Sequence, residues 1–245
     1  MHGTMSITGF HSVTLTTADV AATRAAYRTL FGPAADAEST TGAIKVVAGD
    51  TARAIGVRFT VDDLVSDTTL LRRRGLDLSD GHAPAVTRNG VTLEITDETR
   101  RMPTGTDLVG LDHLVYTSVN PDRAVATLGA RLGLDLRLDQ TKFEGLRQLF
   151  FRCGSGFLEL LVTPTPNAVP GAPNNGDPRD GDPRTDDDAL WGVAWRSSDI
   201  EATHARLDAA GVPISEIRHG RKKGTRVCTV RDRALAVPTI IIEQS

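Results

Sequence analysis

The sequence predicts an α+β fold made of four tandem strand-helix-strand repeats that are grouped in two pairs. Two observations indicate this fold: a strand that leads directly into a helix recurs four times, and each pair closes on an apolar strand that carries one glutamate. A length of 245 residues suffices for one large domain or two small ones. We expect the first pair to span residues 6–98 and the second to span 108–245, joined by a connector that contains proline and glycine.

The first and third repeats open on matching strands. Residues 9–16 and 111–117 each form a short apolar run with a histidine near its start, His11 in one and His113 in the other. Apolar residues at helical spacing follow both runs, so we expect a helix after each strand.

Polar residues mark the starts of these two helices, and glycines mark their ends. Thr17 is the predicted N-cap of the first helix, whereas Asn120, followed by Pro121 at the first helical position, starts the other. Gly32 and Gly133 end them.

The second and fourth repeats share a different strand-to-helix passage, residues 54–64 and 190–200. In the fourth repeat Ser198 and Glu201 have the spacing of a capping box. Each of these repeats ends on an apolar strand with a single acid, and the two acids are Glu94 and Glu243.

The first repeat is shorter than the third. It has room for about one strand after its helix, residues 43–47, at the usual ~5–6 residues per strand. The third repeat has room for three strands, at residues 134–139, 146–153 and 157–162. We therefore expect the first repeat to be truncated.

A polar segment, residues 164–188, interrupts the second pair. It holds half of the twelve prolines of the chain together with six aspartates. This composition is typical of a flexible linker. The alternative is a lid over a cavity, because long loops in compact domains are often functional.

Composition excludes several function classes. With 28 basic and 31 acidic side chains the net charge is −3, which gives no long-range attraction to nucleic acid or to anionic membranes. No apolar run reaches the ~18 residues of a membrane span, and the N-terminus lacks the pattern of a signal peptide. Cys153 and Cys228 suit buried thiols in a reducing compartment. We expect a cytoplasmic protein whose partner is a small-molecule substrate.

The ordered set of motifs resembles the vicinal oxygen chelate superfamily, which includes glyoxalases, bleomycin-resistance proteins and extradiol dioxygenases. The matching segments are Leu-Asp-His-Leu-Val from Leu111, Gly-Phe-Leu-Glu-Leu-Leu from Gly156, Val-Ala-Trp-x-x-x-Asp-Ile from Val193, and Ile-Ile-Ile-Glu from Ile240. The resemblance covers nearly the whole chain. It implies tandem βαβββ units that form two half-open, cupped sheets around a pocket, in a layout most like that of the extradiol dioxygenases, but layout alone does not fix the chemistry.

The resemblance also implies a divalent metal in the cup. It puts His113, Glu159 and Glu243 at ligand positions of the second pair, and Gly192 where a fourth ligand would stand. The corresponding positions of the first pair are His11, Lys45, Gly56 and Glu94. Because a lysine stands among them, we expect an ion pair between Lys45 and Glu94 and a scaffolding role for this pair.

The three candidate ligands each lie among apolar neighbours on a strand. A carboxylate buried in this way must be paired, hydrogen-bonded or bound to metal. One histidine and two acids suit Zn, Mn, Fe(II), Ni or Mg and leave coordination positions open for a substrate. The alternative is a metal-free polar cluster, in which Glu159 and Glu243 pair with an arginine such as Arg152 or Arg196.

A basic turn lies between two strands of the second pair and includes His219 and Arg221. Such a charge run is usually a solvated hairpin. The functional alternative is recognition of a substrate carboxylate, phosphate or CoA group, with Arg196 and Arg221 as binding residues and His219 reaching into the site as a catalytic residue. Trp195 either lines the pocket or belongs to the core.

Our leading hypothesis is a metal-dependent isomerase, lyase or dioxygenase that acts on a small oxygen-chelating substrate. The metal would act as a Lewis acid, and Glu159 would be either the third ligand or the general base. The rival hypothesis is a metal-free binding or resistance protein of the bleomycin-resistance kind, in which Gly192 makes room for the ligand. The sequence leaves open whether the protein forms a homodimer.

Overall fold

The four repeats appear in the predicted order. The computed structural model describes residues 7–32, 43–98, 106–143, 145–164 and 188–244. The α+β fold class, with open mixed sheets, few helices and a truncated first repeat, is confirmed. None of the described helices has the length and apolar character needed to cross a membrane.

Each repeat starts with a strand that leads into a helix. The first repeat consists of β1 (Ile7–Thr17), α1 (Val20–Phe31) and β2 (Ile44–Ala48). The second consists of β3 (Arg53–Val61), α2 (Leu64–Arg73), β4 (Ala85–Arg88) and β5 (Val91–Thr96). The third consists of β6 (Leu108–Ser118), α3 (Pro121–Val125) with a π-helical continuation (Ala126–Arg131), β7 (Asp135–Phe143), β8 (Leu146–Cys153) and β9 (Gly156–Val162). The fourth consists of β10 (Ala189–Ser197), α4 (Ile200–Ala209), β11 (Arg218–His219), β12 (Thr225–Val230), a 3₁₀ turn (Arg233–Leu235) and β13 (Thr239–Gln244).

The start of α1 differs from the prediction. The N-cap is Asp19, whose Oδ1 accepts a hydrogen bond from the backbone N–H of Ala22 (2.9 Å), and not Thr17. Thr17 is still part of the extended strand, and its hydroxyl oxygen accepts the N–H of Asp19 instead. The predicted cap of α3 is confirmed, since Asn120 Oδ1 accepts the N–H of Arg123 (3.0 Å).

The predicted capping box at the start of α4 is not formed. Asp199 is the N-cap, and its Oδ1 accepts the N–H groups of Glu201 (3.1 Å) and Ala202 (3.0 Å). Ser198 lies one residue too early and donates its hydroxyl to the carbonyl of Asp107. Asp199 is the cap because its side chain reaches the N–H groups of both Glu201 and Ala202 in the first turn.

The chain forms two compact units, and each takes segments from both predicted pairs. The first compact unit comprises Met1–Phe10, Ile55–Asp97 and Val115–Trp191, and the second comprises His11–Ala54, Glu98–Leu114 and Gly192–Ser245. The predicted domains 6–98 and 108–245 therefore contribute to both units.

In the first compact unit, β7, β8 and β9 pair antiparallel, and β3 pairs parallel with β5. Asp188, the first described residue before β10, is a buried charge of this unit, with a relative exposure of 3%. The carboxylate accepts hydrogen bonds from Tyr116 Oη (2.8 Å) and Arg123 Nη2 (2.8 Å), and the Asp188 N–H donates to the carbonyl of Asn89 (2.8 Å). A buried carboxylate is stable here because both of its oxygens have donors.

In the second compact unit, β10 pairs parallel with β13, which pairs antiparallel with β12, and β12 with β11. The helix α1 covers one face of these strands, where the ring of Phe31 packs edge-on against fully buried Trp195 at a centroid distance of 4.8 Å. From α4, Arg206 donates to the carboxylate of Asp107 (2.7 Å) and to the carbonyl of Leu30 (2.9 Å). These contacts join the first repeat to the fourth.

Candidate functional site

The second compact unit holds a buried carboxylate next to the histidine that the sequence pointed to. Both residues lie on β6: His113 Nδ1 is 2.9 Å from Asp112 Oδ2, and the side chains are 19% and 5% exposed. A carboxylate next to one ring nitrogen favours the proton on that nitrogen, so the bond orients the ring and assigns the acceptor role to Nε2. Sequence reasoning singled out His113 and missed Asp112.

The other oxygen of Asp112 accepts three further hydrogen bonds. Arg196 on β10 donates Nε (3.0 Å) and Nη2 (2.9 Å), and Gln244 on β13 donates Nε2 (2.6 Å). Burial acts to raise the pKa of Asp112, but the hydrogen bonds from His113 and Arg196 and the positive charge of Arg196 outweigh it and hold the pKa below its usual range. Asp112 is therefore ionised at neutral pH and serves as a fixed anchor for His113.

Arg196, a predicted substrate-binding residue, thus lies at the candidate site, where it holds Asp112. Of the arginine pairings predicted as the alternative, Arg196 bonds to Asp112 Oδ1 through Nε and Nη2, whereas Glu243 pairs with a different arginine, Arg226.

Glu243 lies on the face of β13 opposite to the one that Gln244 shares with Arg196. The β10–β13 register aligns Trp195 with Ile241, so Glu243 shares the helix-covered face, whereas Gln244 shares the other face with Arg196. Glu243 Oε2 accepts the N–H of Ile200 (2.8 Å), the first residue of α4, and Oε1 accepts Arg226 Nη2 (2.7 Å) and Nε (3.1 Å). The Ile200 N–H first, and Arg226 second, lower the pKa of Glu243.

Glu159 lies on β9 of the first compact unit. Its Oε1 accepts a hydrogen bond from Gln148 Nε2 at 2.5 Å, across the β8–β9 ladder. Its partner is thus an amide rather than Arg152, which donates to the carbonyl of Gly154 instead.

Of the three predicted ligands, His113 and Glu243 lie in the second compact unit and Glu159 in the first. Within the described ranges, no three His, Cys, Asp or Glu side chains form a group that could hold a metal ion. Both oxygens of Glu243 already have donors, and a Cβ at Gly192 would lie 3.1 Å from the carbonyl oxygen of Pro238, so that position is crowded by backbone. This donor set does not fit a resident divalent metal, and we assign no chemical step to one.

The first pair also departs from the expected ion pair. Glu94 pairs with Arg58 (2.7 Å) and not with Lys45, because the β3–β5 register places Arg58 directly opposite Glu94. His11 is buried, with Nδ1 3.2 Å from Ser12 Oγ. It fits the expected role of a hydrogen-bonded core residue.

The remaining candidates divide between core and surface. Trp195 is fully buried against Phe31, which fits the core alternative. His219 and Arg221 are exposed on and next to the β11–β12 hairpin, and His219 is in register with Arg226. His204 of α4 has Nε2 3.1 Å from the carbonyl oxygen of Ser215, the arrangement of a structural histidine.

Solved structures of low sequence identity share the fold. The Mn(II)-bound glyoxalase from Novosphingobium aromaticivorans matches with a TM-score of 0.72 at 14% identity, over 98% of this chain and 83% of that one. A halotolerant catechol dioxygenase matches with a TM-score of 0.70 at 11% identity, over 97% and 87% of the two chains. A catechol 2,3-dioxygenase matches with a TM-score of 0.67 at 12% identity, over 98% and 89%. No curated protein matches the chain.

A family model gives the assignment. The model for a glyoxalase-like domain matches residues 111–239, which is more than half of the chain and includes both His113 and Arg196. The chain belongs to this glyoxalase-like family, within the vicinal oxygen chelate superfamily.

Proposed function

We propose that the protein is a vicinal oxygen chelate enzyme of the isomerase or lyase type, which transfers a proton on a small oxygen-bearing substrate. His113 is the base, and Asp112 is the residue that positions it. The observation that carries this proposal is the 2.9 Å hydrogen bond between His113 Nδ1 and the buried carboxylate of Asp112. An oriented imidazole with one free acceptor nitrogen is the commonest general base in enzymes.

The supporting contacts explain why Asp112 remains ionised. Arg196 and Gln244 give its Oδ1 three donors, so the negative charge is stabilised without removing the proton from the histidine. The proposal therefore gives proton transfer to His113 rather than to Glu159 or His219. The proposal assigns no step to a metal, so treatment with a chelator is expected to leave the activity unchanged.

Carbon-bound hydrogen exchange tests the proposal without knowledge of the product. A panel of small 2-oxo and 2-hydroxycarbonyl compounds is incubated with the protein in D₂O, and NMR follows the loss of the C–H signal next to the carbonyl. We expect catalysed exchange to fall about 100-fold or more in His113→Gln, as for removal of a general base, and about 10-fold in Asp112→Asn, as for loss of an orienting carboxylate.

The matched control is His204→Gln, which removes a histidine that contacts only the Ser215 carbonyl among the described contacts. Its exchange rate should equal that of the parent. Exchange that survives in His113→Gln would contradict the proposal.

A metal-free binding protein is the second candidate. Ala194, Val227 and Ile242, with Ile240 packed against them, form an apolar cluster on the strand face that also carries Arg196. A buried apolar lining of this kind next to a few polar anchors suits a small apolar ligand. Thermal stabilisation by a ligand panel that persists in His113→Gln, with no catalysed exchange in the parent, would favour this second function.

A further inference from the structure

The turn between β11 and β12 brings a lysine next to the site. Lys222 Nζ donates to Gln244 Oε1 (3.1 Å), and the amide nitrogen of the same Gln244 donates to Asp112 Oδ1 (2.6 Å). A single neutral amide group therefore separates the lysine ammonium from the carboxylate that holds His113.

Lys222 and the nearby Arg226 differ in whether their positive charges are paired with carboxylates. Arg226 contacts two carboxylates, those of Glu243 and Glu201. Lys222 has no carboxylate within ion-pair distance among the residues that the structure describes, and its partner Gln244 carries no charge. The exposed ammonium thus keeps its positive charge available for an anion from solvent.

We propose that Lys222 binds the anionic group of the substrate, a carboxylate or a phosphate, and that Gln244 transmits this binding to Asp112 and His113. The role of His113 in this proposal rests on the proposed function. An anion bound at Lys222 competes with Gln244 Oε1 for the ammonium, and a weaker hydrogen bond at Oε1 weakens the bond that the opposite end of the same amide donates to Asp112. Gln244 is a positioning residue, since it acts on His113 only through Asp112.

The competing explanation is a solvated basic turn with diffuse attraction for anions. The neighbouring Lys223 distinguishes the two, because it is also exposed and has the same charge. Diffuse attraction requires both lysines to contribute alike, whereas a specific site requires Lys222.

The test is an NMR titration of the full-length protein, separately with inorganic phosphate and with acetate, at constant ionic strength. It follows the His113 imidazole signal, identified by its absence from His113→Gln, and the backbone amides of residues 221–224. We expect saturable shifts of both signals in the parent. Lys222→Gln should weaken binding about tenfold, as for a lost charged hydrogen bond, and Lys223→Gln should leave it unchanged. The arm with the tighter binding identifies phosphate or carboxylate as the substrate group.

Gln244→Ala separates binding from transmission. The turn amides should still shift with the anion, while the His113 signal no longer responds. Equal weakening in Lys222→Gln and Lys223→Gln, an absence of saturation, or a normal His113 response in Gln244→Ala would overturn the proposal. Anion binding that persists while all C–H exchange is absent would remove the proton-transfer function alone, and the opposite result would remove the anion site alone.

Discussion

Asp112 and Glu243 show how neighbouring groups give two similar carboxylates different roles. Both have a lowered pKa and an arginine partner. Asp112 uses its remaining oxygen to orient a histidine, whereas Glu243 uses its own to accept the first N–H of α4. Together with Asp199, which accepts the next two N–H groups, Glu243 satisfies the start of the helix.

Removal of the Glu243 charge should therefore destabilise the fold in a pH-dependent way. Glu243→Gln is expected to lower the free energy of unfolding by about 1 kcal/mol at neutral pH, the usual size of a lost helix cap. Because the folded-state pKa lies below the ordinary value of 4.5, the stabilisation is present above that value and is lost as the pH falls through the folded-state pKa. Urea unfolding across this pH range measures the difference between parent and variant.

The control is Glu216→Gln, which changes an exposed carboxylate. It should change the unfolding free energy little at any pH. A Glu243→Gln deficit that persists unchanged into strong acid would show that the effect does not arise from ionisation.

At this scale the sequence predicted His113 but not its partners. Alternation along a strand correctly put Glu243 on the face of Ile241, yet it does not reveal which face the helices cover. Gln244 carries no charge and so gave no signal. Asp112 would have been found by asking what fixes the tautomer of a strand histidine, because that role commonly falls to a carboxylate.

At the scale of elements, the β8–β9 turn is constrained by close packing as well as by backbone conformation. Gly154 has φ +58°, and a Cβ there would collide with the carbonyl oxygen of Thr8 in β1. Gly145, in the β7–β8 turn, has φ +78°, and a Cβ at this position would have no atom within 4 Å. The two glycines share the left-handed conformation and differ in contact.

Alanine at these two positions should separate the two effects. Gly145→Ala is expected to cost about 1 kcal/mol of unfolding free energy, from backbone strain alone. Gly154→Ala should cost about 2 kcal/mol more, because the backbone of β1 has to move. Chemical denaturation measures both, and equal costs would show that the contact with Thr8 is unimportant.

The elements themselves were predicted better than their ends. The strands of the third repeat and the glycines after the helices are where the sequence placed them, whereas the caps of α1 and α4 are displaced by two and one residues, respectively. The error has one cause, since an aspartate follows the hydroxyl residue in both sequences and its longer side chain reaches the free N–H groups.

At the scale of the whole molecule, the two predicted pairs depend on each other. In the first compact unit the backbone of Asp188 bonds to Asn89, and in the second the guanidinium of Arg206 bonds to Leu30. Tyr27 donates its hydroxyl to the carbonyl of Leu235 within the same second unit. The repeats were visible in the sequence, but their association was not, because no local pattern specifies which repeat packs on which.

Separate expression of the halves should reveal this dependence. Residues 108–245 alone are expected to melt well below the full chain, since Trp195 loses Phe31 and Asp188 loses Asn89 as partners. Circular dichroism melting of the fragment, alone and mixed with residues 6–98, measures the effect. A fragment that melts at the temperature of the full chain would establish it as an independent domain.

Each of the two compact units contains one cysteine. Cys153 belongs to the first compact unit and Cys228 to the second, and both are free and fully buried. Burial raises the pKa of both thiols, that of Cys228 to about 11, so neither forms the reactive thiolate while its unit is closed. The chain therefore carries a natural thiol reporter in each unit, and the alkylation rate of each cysteine measures how often that unit opens, without any engineered label.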